Sequence, residues 1–153
     1  MGTAYIFFGK PITPDTVALL ITAFRTLGAE RDDNKNFLWD HLHLSIACGG
    51  GDVIAGLGIF NELVAMPLTI TTHNSSAVDS AAIMPFLLGQ KRTASAKSAF
   101  YFHHFQWTFT TNINQNRTSM WEASKWLTTY EDIVATMLAE RTQIQRSDAL
   151  QLM

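Results

Sequence analysis

The chain has 153 residues, of which 47% are hydrophobic and 16% are charged, and its formal net charge is −2. This length suits one domain with a core of its own. A net charge so close to zero, with no basic stretch, argues against a surface that binds nucleic acid. The single cysteine, Cys48, excludes an intramolecular disulfide framework and a thiolate zinc cluster, and we expect it to be a small buried hydrophobe.

The apolar segments of the chain indicate where the protein is located and whether it forms oligomers. No basic leader or cleavage site is visible up to Lys10, and no apolar run approaches the length of a membrane span. We therefore expect a cytoplasmic protein with no membrane contact. Four tryptophans and ten phenylalanines are many for a domain of this size. We expect part of this apolar surface to be buried between the subunits of a homo-oligomer.

The first third of the chain predicts an alternation of strands and helices. Ala4 to Phe8 is an apolar strand. Thr13-Pro14-Asp15 then supplies the cap, the first-turn proline and the first-turn acid of a helix that extends through Leu27. After a charged loop, His41 to Ala47 alternates polar and apolar residues, which is typical of a strand with one buried face. This order predicts a parallel βαβ unit.

The middle of the chain continues the alternation. Gly49-Gly50-Gly51 ends the second strand, and Asp52 can cap a helix that extends to Val64. Leu68 to Thr72 predicts a third strand. A polar stretch then separates this strand from a predicted apolar helix over Ala77 to Leu88.

The last third predicts two short strands and one long helix. The strands are Thr93 to Ala96 and Ala99 to Phe102, and the second leads directly to His103 and His104. Apolar residues at helical spacing predict a helix from about Ser119 to Arg141.

Three features fall at predicted carboxyl ends of strands, where ligands collect in α/β structures. They are the triple glycine, Ser80 near a helix start, and His103. Glycine N–H groups can face a developing oxyanion, and a serine at a helix start lies beside unpaired amides and the positive end of the helix dipole. The residues alone leave other interpretations open, because a triple glycine also makes a tight turn and such a serine also caps a helix.

Several segments resemble the proteolytic subunit of the Clp protease. Residues 5–12 resemble its opening strand and turn, and residues 46–56, Ile-Ala-Cys-Gly-Gly-Gly-Asp-Val-Ile-Ala-Gly, are similar to its oxyanion segment and the following helix. The spacing from Gly51 to Ser80 matches, without a gap, the family's spacing from its oxyanion glycine to its nucleophile. Residues 89–92 and 98–103 resemble the stretch that carries the family's histidine, with Ser98 at the matching distance before His103.

The resemblance implies one α/β domain over residues 1–153, with a ClpP/crotonase-like fold of repeated ββα units and a helical handle at about residues 105–142. It also implies that Ser80 is a nucleophile and His103 its general base, with the N–H groups of Gly51 and Ala81 as the oxyanion hole. His104 is the alternative base, but strand alternation points it away from the site.

The resemblance also implies partners. The substrate would be a peptide or an unfolded protein, and the chain would form a ring of identical subunits, either a heptamer or a double heptamer. A ring ATPase is the family's partner, and its docking here is in question because the chain begins almost at its first strand. The implied chemistry needs no cofactor and no metal.

Two departures from the family pattern concern the site. Asp79 stands beside Ser80, where the family has small residues; it either favours the helix start or disturbs the nucleophile. The family's third catalytic residue, an aspartate, would fall near the last residue of this chain, where there is no acid. The chain is truncated, or Asp148 serves, or His103 acts unassisted; Asp132, inside the long helix, is expected to face solvent.

Other interpretations remain beside the peptidase. His41 and His43 share a strand face, but no third metal ligand is evident and we predict ordinary strand residues. The tryptophans of the last third, Trp107, Trp121 and Trp126, could form a ligand platform, and the resemblance favours core or interface instead. The alternative functions are a catalytically silent ring subunit and a crotonase-type acyl-CoA enzyme, whose oxyanion hole also uses backbone amides.

Overall fold

The structure is a computed structural model that describes residues 2–108 and 116–153. The chain divides into a first unit, residues 1–101, and a second unit, residues 102–153. The single domain expected from the sequence stays a prediction.

The first unit alternates strands and helices as predicted. Its elements are β1 (Gly2–Phe8), α1 (Pro14–Ala29), β2 (Trp39–Cys48), α2 (Val53–Val64), β3 (Thr69–Asp79), a 3₁₀ turn (Ser80–Ala82), α3 (Ile83–Phe86), β4 (Lys91–Ala94) and β5 (Ala99–Tyr101). Among the described residues the strands form a five-stranded sheet in the order β1-β2-β3-β4, with β5 also paired to β3, and every pairing is parallel.

The long strand β3 has a different partner at each end. Its residues Thr71 to Asn74 pair with β4, and its residues Ala77 to Asp79 pair with β5. On its other side the register with β2 shifts, so that Ile46 pairs with Asn74 and Cys48 with Val78. This irregularity lies just before the carboxyl end of the sheet. On the other side of β3, β4 pairs with the residues before it and β5 with the residues after it.

The core of the first unit follows from the alternation in β2. Leu42, Leu44 and Ile46 are fully buried, and so are Phe24 of α1 and Ile59 of α2. The intervening residues of β2 lie on the opposite face and are only partly buried. The sheet thus has one apolar face and one polar face.

Both predicted helix caps are present. The Thr13 hydroxyl accepts a hydrogen bond from the Thr16 N–H at 3.2 Å, and the Thr16 hydroxyl accepts one from the Thr13 N–H at 2.9 Å, which is a capping box. The carboxylate of Asp52 accepts a hydrogen bond from the Ala55 N–H at 2.7 Å at the start of α2. These caps fix where each helix leaves the carboxyl edge of the sheet.

The predicted helix over Ala77 to Leu88 is wrong in its first half. β3 extends to Asp79, and the polar stretch before Ala77 belongs to this strand. The fully buried Asn74 explains the difference, because its Nδ2 donates to the Ala99 carbonyl at 2.7 Å and its Oδ1 accepts from the Ser76 N–H at 3.1 Å. Its side chain therefore satisfies backbone groups at the irregular part of the sheet.

The second unit contains α4 (Arg117–Arg141) and α5 (Arg146–Leu152). The predicted long helix is confirmed, and Asn116 caps it through the Ser119 N–H at 3.0 Å. Within the described part of the chain, no helix combines the length and the apolar character that crossing a membrane requires.

The tryptophans of the second unit have different surroundings. The rings of Trp107 and Trp126 meet edge to face, with centroids 5.0 Å apart, and Trp126 also contacts Tyr130. Trp121 is instead 57% exposed, and its ring lies 4.2 Å from Lys125 Nζ. Trp107 and Trp126 therefore pack against each other, although Trp107 is 43% exposed, and Trp121 leaves more apolar surface exposed. Residues 109–115 of the predicted handle lie outside the described residues.

Candidate active site

Ser80 lies in a strained turn between β3 and α3. Its φ is +52°, in the left-handed region that residues other than glycine adopt uncommonly. Such a conformation costs about 1–3 kcal/mol and persists where the surrounding structure imposes it. A serine at a sharp turn from strand to helix is also the backbone arrangement that exposes the nucleophile in α/β-hydrolases.

The helix after Ser80 is shorter than predicted. It consists of a three-residue 3₁₀ turn and four residues of α3. A dipole summed over so few peptide units is small, so the helix dipole expected from the sequence has little effect at Ser80. The turn still supplies donors, because the first N–H groups of a helix have no intrahelical acceptor. Ala81 is at its second position and is fully buried.

The glycine loop lies directly against the Ser80 turn. Gly50 has a φ of +91°, and a Cβ placed on it would come within 2.8 Å of both the Asp79 carbonyl oxygen and Ser80 Cβ. Gly51 has a φ of +145°, and a Cβ there would overlap the carbonyl of Ile12. Gly49, by contrast, faces open space. Two of the three glycines are therefore required by close backbone contacts.

The backbone of Ile12 holds this loop in place. Its N–H donates to the Gly50 carbonyl and its carbonyl accepts from the Asp52 N–H, both at 2.9 Å. Among the described residues, no acceptor is recorded for the Gly51 N–H between these two bonds. These two bonds fix the position of the loop segment that carries the Gly51 N–H.

Cys48 is a buried thiol beneath the loop, as the sequence predicts. Its Sγ lies 3.1 Å from the Lys10 carbonyl oxygen, to which the thiol can donate. Burial raises the pKa of this thiol, which keeps it protonated. It therefore supports the loop as a small core residue.

The two candidate histidines belong to the second unit and have different acceptors. His103 Nδ1 lies 2.7 Å from the His104 carbonyl oxygen. His104 Nδ1 lies 3.5 Å from Glu131 Oε1, and the His104 side chain is 76% exposed. A hydrogen bond from Nδ1–H to a carbonyl leaves Nε2 as the acceptor, which is the tautomer that a general base requires.

Neither predicted acid has the surroundings of a catalytic carboxylate. Asp148 is exposed in the first turn of α5. Asp132 forms an ion pair with Arg146, and both side chains are half exposed. Glu131, which the sequence analysis did not single out, is the carboxylate nearest to a histidine of this pair, and helical spacing alone gave no signal for it.

His41 and His43 have partners on the polar face of the sheet. The ring nitrogens of His41 lie 3.2 Å from Thr3 Oγ1 and 2.8 Å from Thr71 Oγ1. The ring of His43 lies between those of Tyr5 and His73. In the part of the chain that the structure describes, no group of three potential metal ligands occurs.

Comparison with known proteins identifies the family. A profile of the Clp protease family matches residues 1–153. The chain belongs to the Clp protease family. Among solved structures, a mutant of ClpP1 from Listeria monocytogenes matches 96% of this chain and 77% of its own, with a TM-score of 0.77 and 14% sequence identity. At this identity the likeness shows the fold, and it confirms the predicted ClpP-like α/β class. No curated protein matches the chain.

The first unit brings part of the predicted site together. A Cβ on Gly50 would meet the Asp79 carbonyl oxygen, Ser80 Cβ and the Ala81 nitrogen, so the loop that carries Gly51 and the turn that carries the candidate nucleophile are neighbours. His103, His104 and Asp148 lie in the second unit. Asn74, which ties β3 to β5, was not predicted from the sequence, because a buried amide in a polar stretch has no distinctive sequence signal.

Proposed function

We propose that this member of the Clp protease family is a serine peptidase in which Ser80 attacks the substrate and His103 is the general base. The observation that carries the proposal is the left-handed Ser80 turn packed against a glycine loop. A turn needed only for folding would favour glycine at this φ. The strain at a hydroxyl-bearing residue is explained if the hydroxyl is used.

The proposed reaction proceeds through an acyl-enzyme. Ser80 Oγ attacks the peptide carbonyl carbon while Nε2 of His103 takes the hydroxyl proton. The N–H groups of Gly51 and Ala81 donate to the oxyanion of the tetrahedral intermediate. Collapse breaks the C–N bond, and the histidine returns its proton to the leaving amine. Water then attacks the ester carbonyl carbon while His103 takes one of its protons, and that proton passes to Ser80 Oγ as the ester C–O bond breaks, which frees Ser80 and the acid product.

The choice of His103 as the base rests on the sequence resemblance, in which Ser98 stands at the matching distance before it. We assign the orientation of its ring to the His104 carbonyl, and Asp148 is the alternative third member. A carbonyl lacks the charge that stabilises an imidazolium, so we expect slower turnover than a complete triad gives.

We also propose that the chain forms a homo-oligomeric ring that acts on unfolded polypeptides. Docking of a ring ATPase on this ring is a separate question that the proposal leaves open. Exposed apolar residues on α4, namely Met120, Trp121 and Ile133, support burial in an assembly. Sedimentation velocity should give a mass several times that of the 17.1 kDa chain. A monomer at micromolar concentration would contradict the ring.

The second candidate is a catalytically silent ring subunit. It is favoured by Asp79, whose side chain makes no capping hydrogen bond and places a carboxylate beside the proposed nucleophile. A silent subunit would keep the fold and the assembly without an acylation-competent serine.

A fluorophosphonate probe distinguishes these functions. We expect the protein to be labelled, and Ser80→Ala to abolish labelling without changing the fold. His103→Ala should slow labelling by about 10²–10⁴-fold. The matched variants His104→Ala and Asp148→Asn should each stay within about tenfold of the parent. Absence of labelling in the parent protein supports the silent subunit, and a larger loss in His104→Ala than in His103→Ala reverses the choice of base.

A further inference from the structure

Asp79 carries a polar atom that the chain leaves unsatisfied. Its Oδ1 is fully buried and has no hydrogen-bond partner, and it is the only such side-chain atom among the described residues. Asp79 is the last residue of β3 and immediately precedes Ser80. The unsatisfied oxygen therefore lies at the proposed site of reaction.

An unsatisfied carboxylate oxygen is costly in this position. A buried polar atom without a partner destabilises the folded state, and the penalty is larger when the group is charged. Folded proteins satisfy nearly all such atoms, so an exception calls for a reason. A partner that arrives with a ligand is one such reason.

The neighbouring groups do not supply the missing donor. Asp79 occupies the capping position of the Ser80 turn, yet its side chain makes no capping hydrogen bond. Its own carbonyl oxygen faces Gly50, which has no side chain to offer. The charge of Asp79 is one of the causes that raise the pKa of the nearby Cys48 thiol. This thiol supplies no positive charge to the carboxylate.

We propose that Asp79 binds the cationic side chain of a lysine or arginine in the substrate, close to the bond that Ser80 cleaves. This inference rests on the proposed peptidase function and adds a substrate preference to it. The carboxylate would act as a specificity-determining group rather than as a catalytic one.

A cation fits this carboxylate better than a peptide amide does. An amide N–H supplies a hydrogen bond and leaves a negative charge in a partly buried position. An ammonium or guanidinium group supplies both the hydrogen bond and the opposite charge, and such charge-assisted bonds are the stronger ones. The surroundings also favour a cation, because no lysine or arginine of the described chain is recorded as a partner of Asp79.

The carboxylate can reach a ligand with little rearrangement. Asp79 as a whole residue is only partly buried. The terminal torsion of an aspartate is broad, so a turn of the carboxylate can carry Oδ1 towards the exposed part of the residue. The strand beside it, β5, is three residues long and exposed throughout. A substrate side chain therefore needs only a turn of the carboxylate to form the pair.

The test compares three fluorogenic peptides that differ only in the residue before the scissile bond: lysine, norleucine or glutamate. In the parent protein we expect kcat/KM for the lysine peptide to exceed that for norleucine at least about tenfold, since one charge-assisted bond is worth about 1.5–3 kcal/mol. Asp79→Asn should remove this ratio by lowering kcat/KM for the lysine peptide relative to that for the norleucine peptide. Asp40→Asn, an exposed acid at the amino end of β2, is the charge-matched control and should retain the ratio.

Binding to Ser80→Ala separates the two proposals. Fluorescence anisotropy should show tighter binding of the lysine peptide than of the norleucine peptide, and the double variant Ser80→Ala/Asp79→Asn should lose the difference. If the parent cleaves peptides but the ratio is the same in Asp79→Asn, the inference fails and the peptidase stands. If the difference in binding is present but nothing is cleaved, the peptidase fails and the cation site stands. If neither a ratio nor a difference in binding depends on Asp79, the cation site is overturned.

Thermal melting tests whether the Asp79→Asn variant folds as stably as the parent. Because Asp79→Asn removes an unsatisfied buried charge, its Tm should equal or exceed that of the parent. A large fall in Tm would mean that Asp79 has a structural partner in the fold, and it would overturn the inference.

Discussion

The Ser80 turn and the histidine segment are held by different kinds of contact. The turn is enclosed by backbone: Gly50 touches it, Ile12 fixes the loop, and Ala81 behind it is fully buried. The histidine segment begins after a three-residue exposed strand, and the recorded bond of His103 is to the carbonyl of the next residue.

This difference predicts that the Ser80 turn and the histidine segment respond differently to sequence change. Backbone contacts tolerate a wide range of side chains, so the Ser80 turn does not require particular side chains around it. A histidine oriented by a carboxylate needs that one side chain at one place. We therefore expect the Ser80 turn to tolerate side-chain changes that would alter the orientation of a histidine.

Gly50→Ala should have the largest effect of the variants that test this difference. The new methyl group would lie 2.8 Å from the Asp79 carbonyl oxygen and Ser80 Cβ, at a φ of +91°. Left-handed strain and overpacking together should lower the free energy of unfolding by about 2–4 kcal/mol. Displacement of the turn should also slow fluorophosphonate labelling by about 10²-fold. Urea unfolding and labelling rates measure the two effects.

Gly49→Ala is the matched control for this change. A Cβ at position 49 has no atom within 4 Å, and the φ of Gly49 is not in the left-handed region. We expect stability within about 0.5 kcal/mol of the parent and an unchanged labelling rate. Equal damage from both substitutions would mean that the whole loop, rather than the contact at Gly50, holds the turn.

Asn74→Ala should have an intermediate effect on stability, and this effect should be concentrated at β5. It leaves the Ala99 carbonyl and the Ser76 N–H without their side-chain partner in a fully buried place. We expect a loss of about 1–3 kcal/mol in the free energy of unfolding. Hydrogen exchange should quicken in β5 before it quickens in β2, because the lost bond ties β3 to β5.

The control for Asn74 is its neighbour on the same strand. Ser75 donates its hydroxyl hydrogen to the Ile46 carbonyl at 3.0 Å and so ties β3 to β2 instead. Ser75→Ala should leave exchange in β5 unchanged. Faster exchange there in both variants would show that β5 depends on the whole irregular stretch.

The smallest effect is expected on the polar face of the sheet, away from the turn. Burial, followed by the charges of His73 and His41, lowers the pKa of His43 from its usual value of 6.5. The unfolded chain therefore takes up a proton at a higher pH than the folded chain does. Stability should fall as the pH drops through 6.5 towards the folded pKa, and it should be unaffected by this group above 6.5.

His43→Gln should make this fall in Tm smaller between pH 7.5 and 5.5. The same substitution at the exposed His104 should leave the fall as large as in the parent. An equally steep fall in His43→Gln would assign the pH dependence to other groups.

Much of the fold was predictable because its signals are local. Thr13-Pro14 and Asp52 mark helix starts, and the alternation around Leu44 marks a buried strand. The extension of β3 to Asp79 was not predictable, because it depends on the pairing with β5 and on Asn74, which are contacts distant in sequence. The same reason applies to the site: the spacing from Gly51 to Ser80 pointed to the turn, whereas the left-handed φ and the unsatisfied oxygen of Asp79 appear only in three dimensions.

The left-handed backbone at Ser80 also has an evolutionary consequence. A protein with serine at position 80 bears a conformational free-energy penalty that glycine would avoid and asparagine would reduce. Mutation alone would drift towards those residues once the hydroxyl had no use. The identity of this one residue across a lineage is therefore a record of selection, and a lineage that had abandoned the reaction would be free to lose it first.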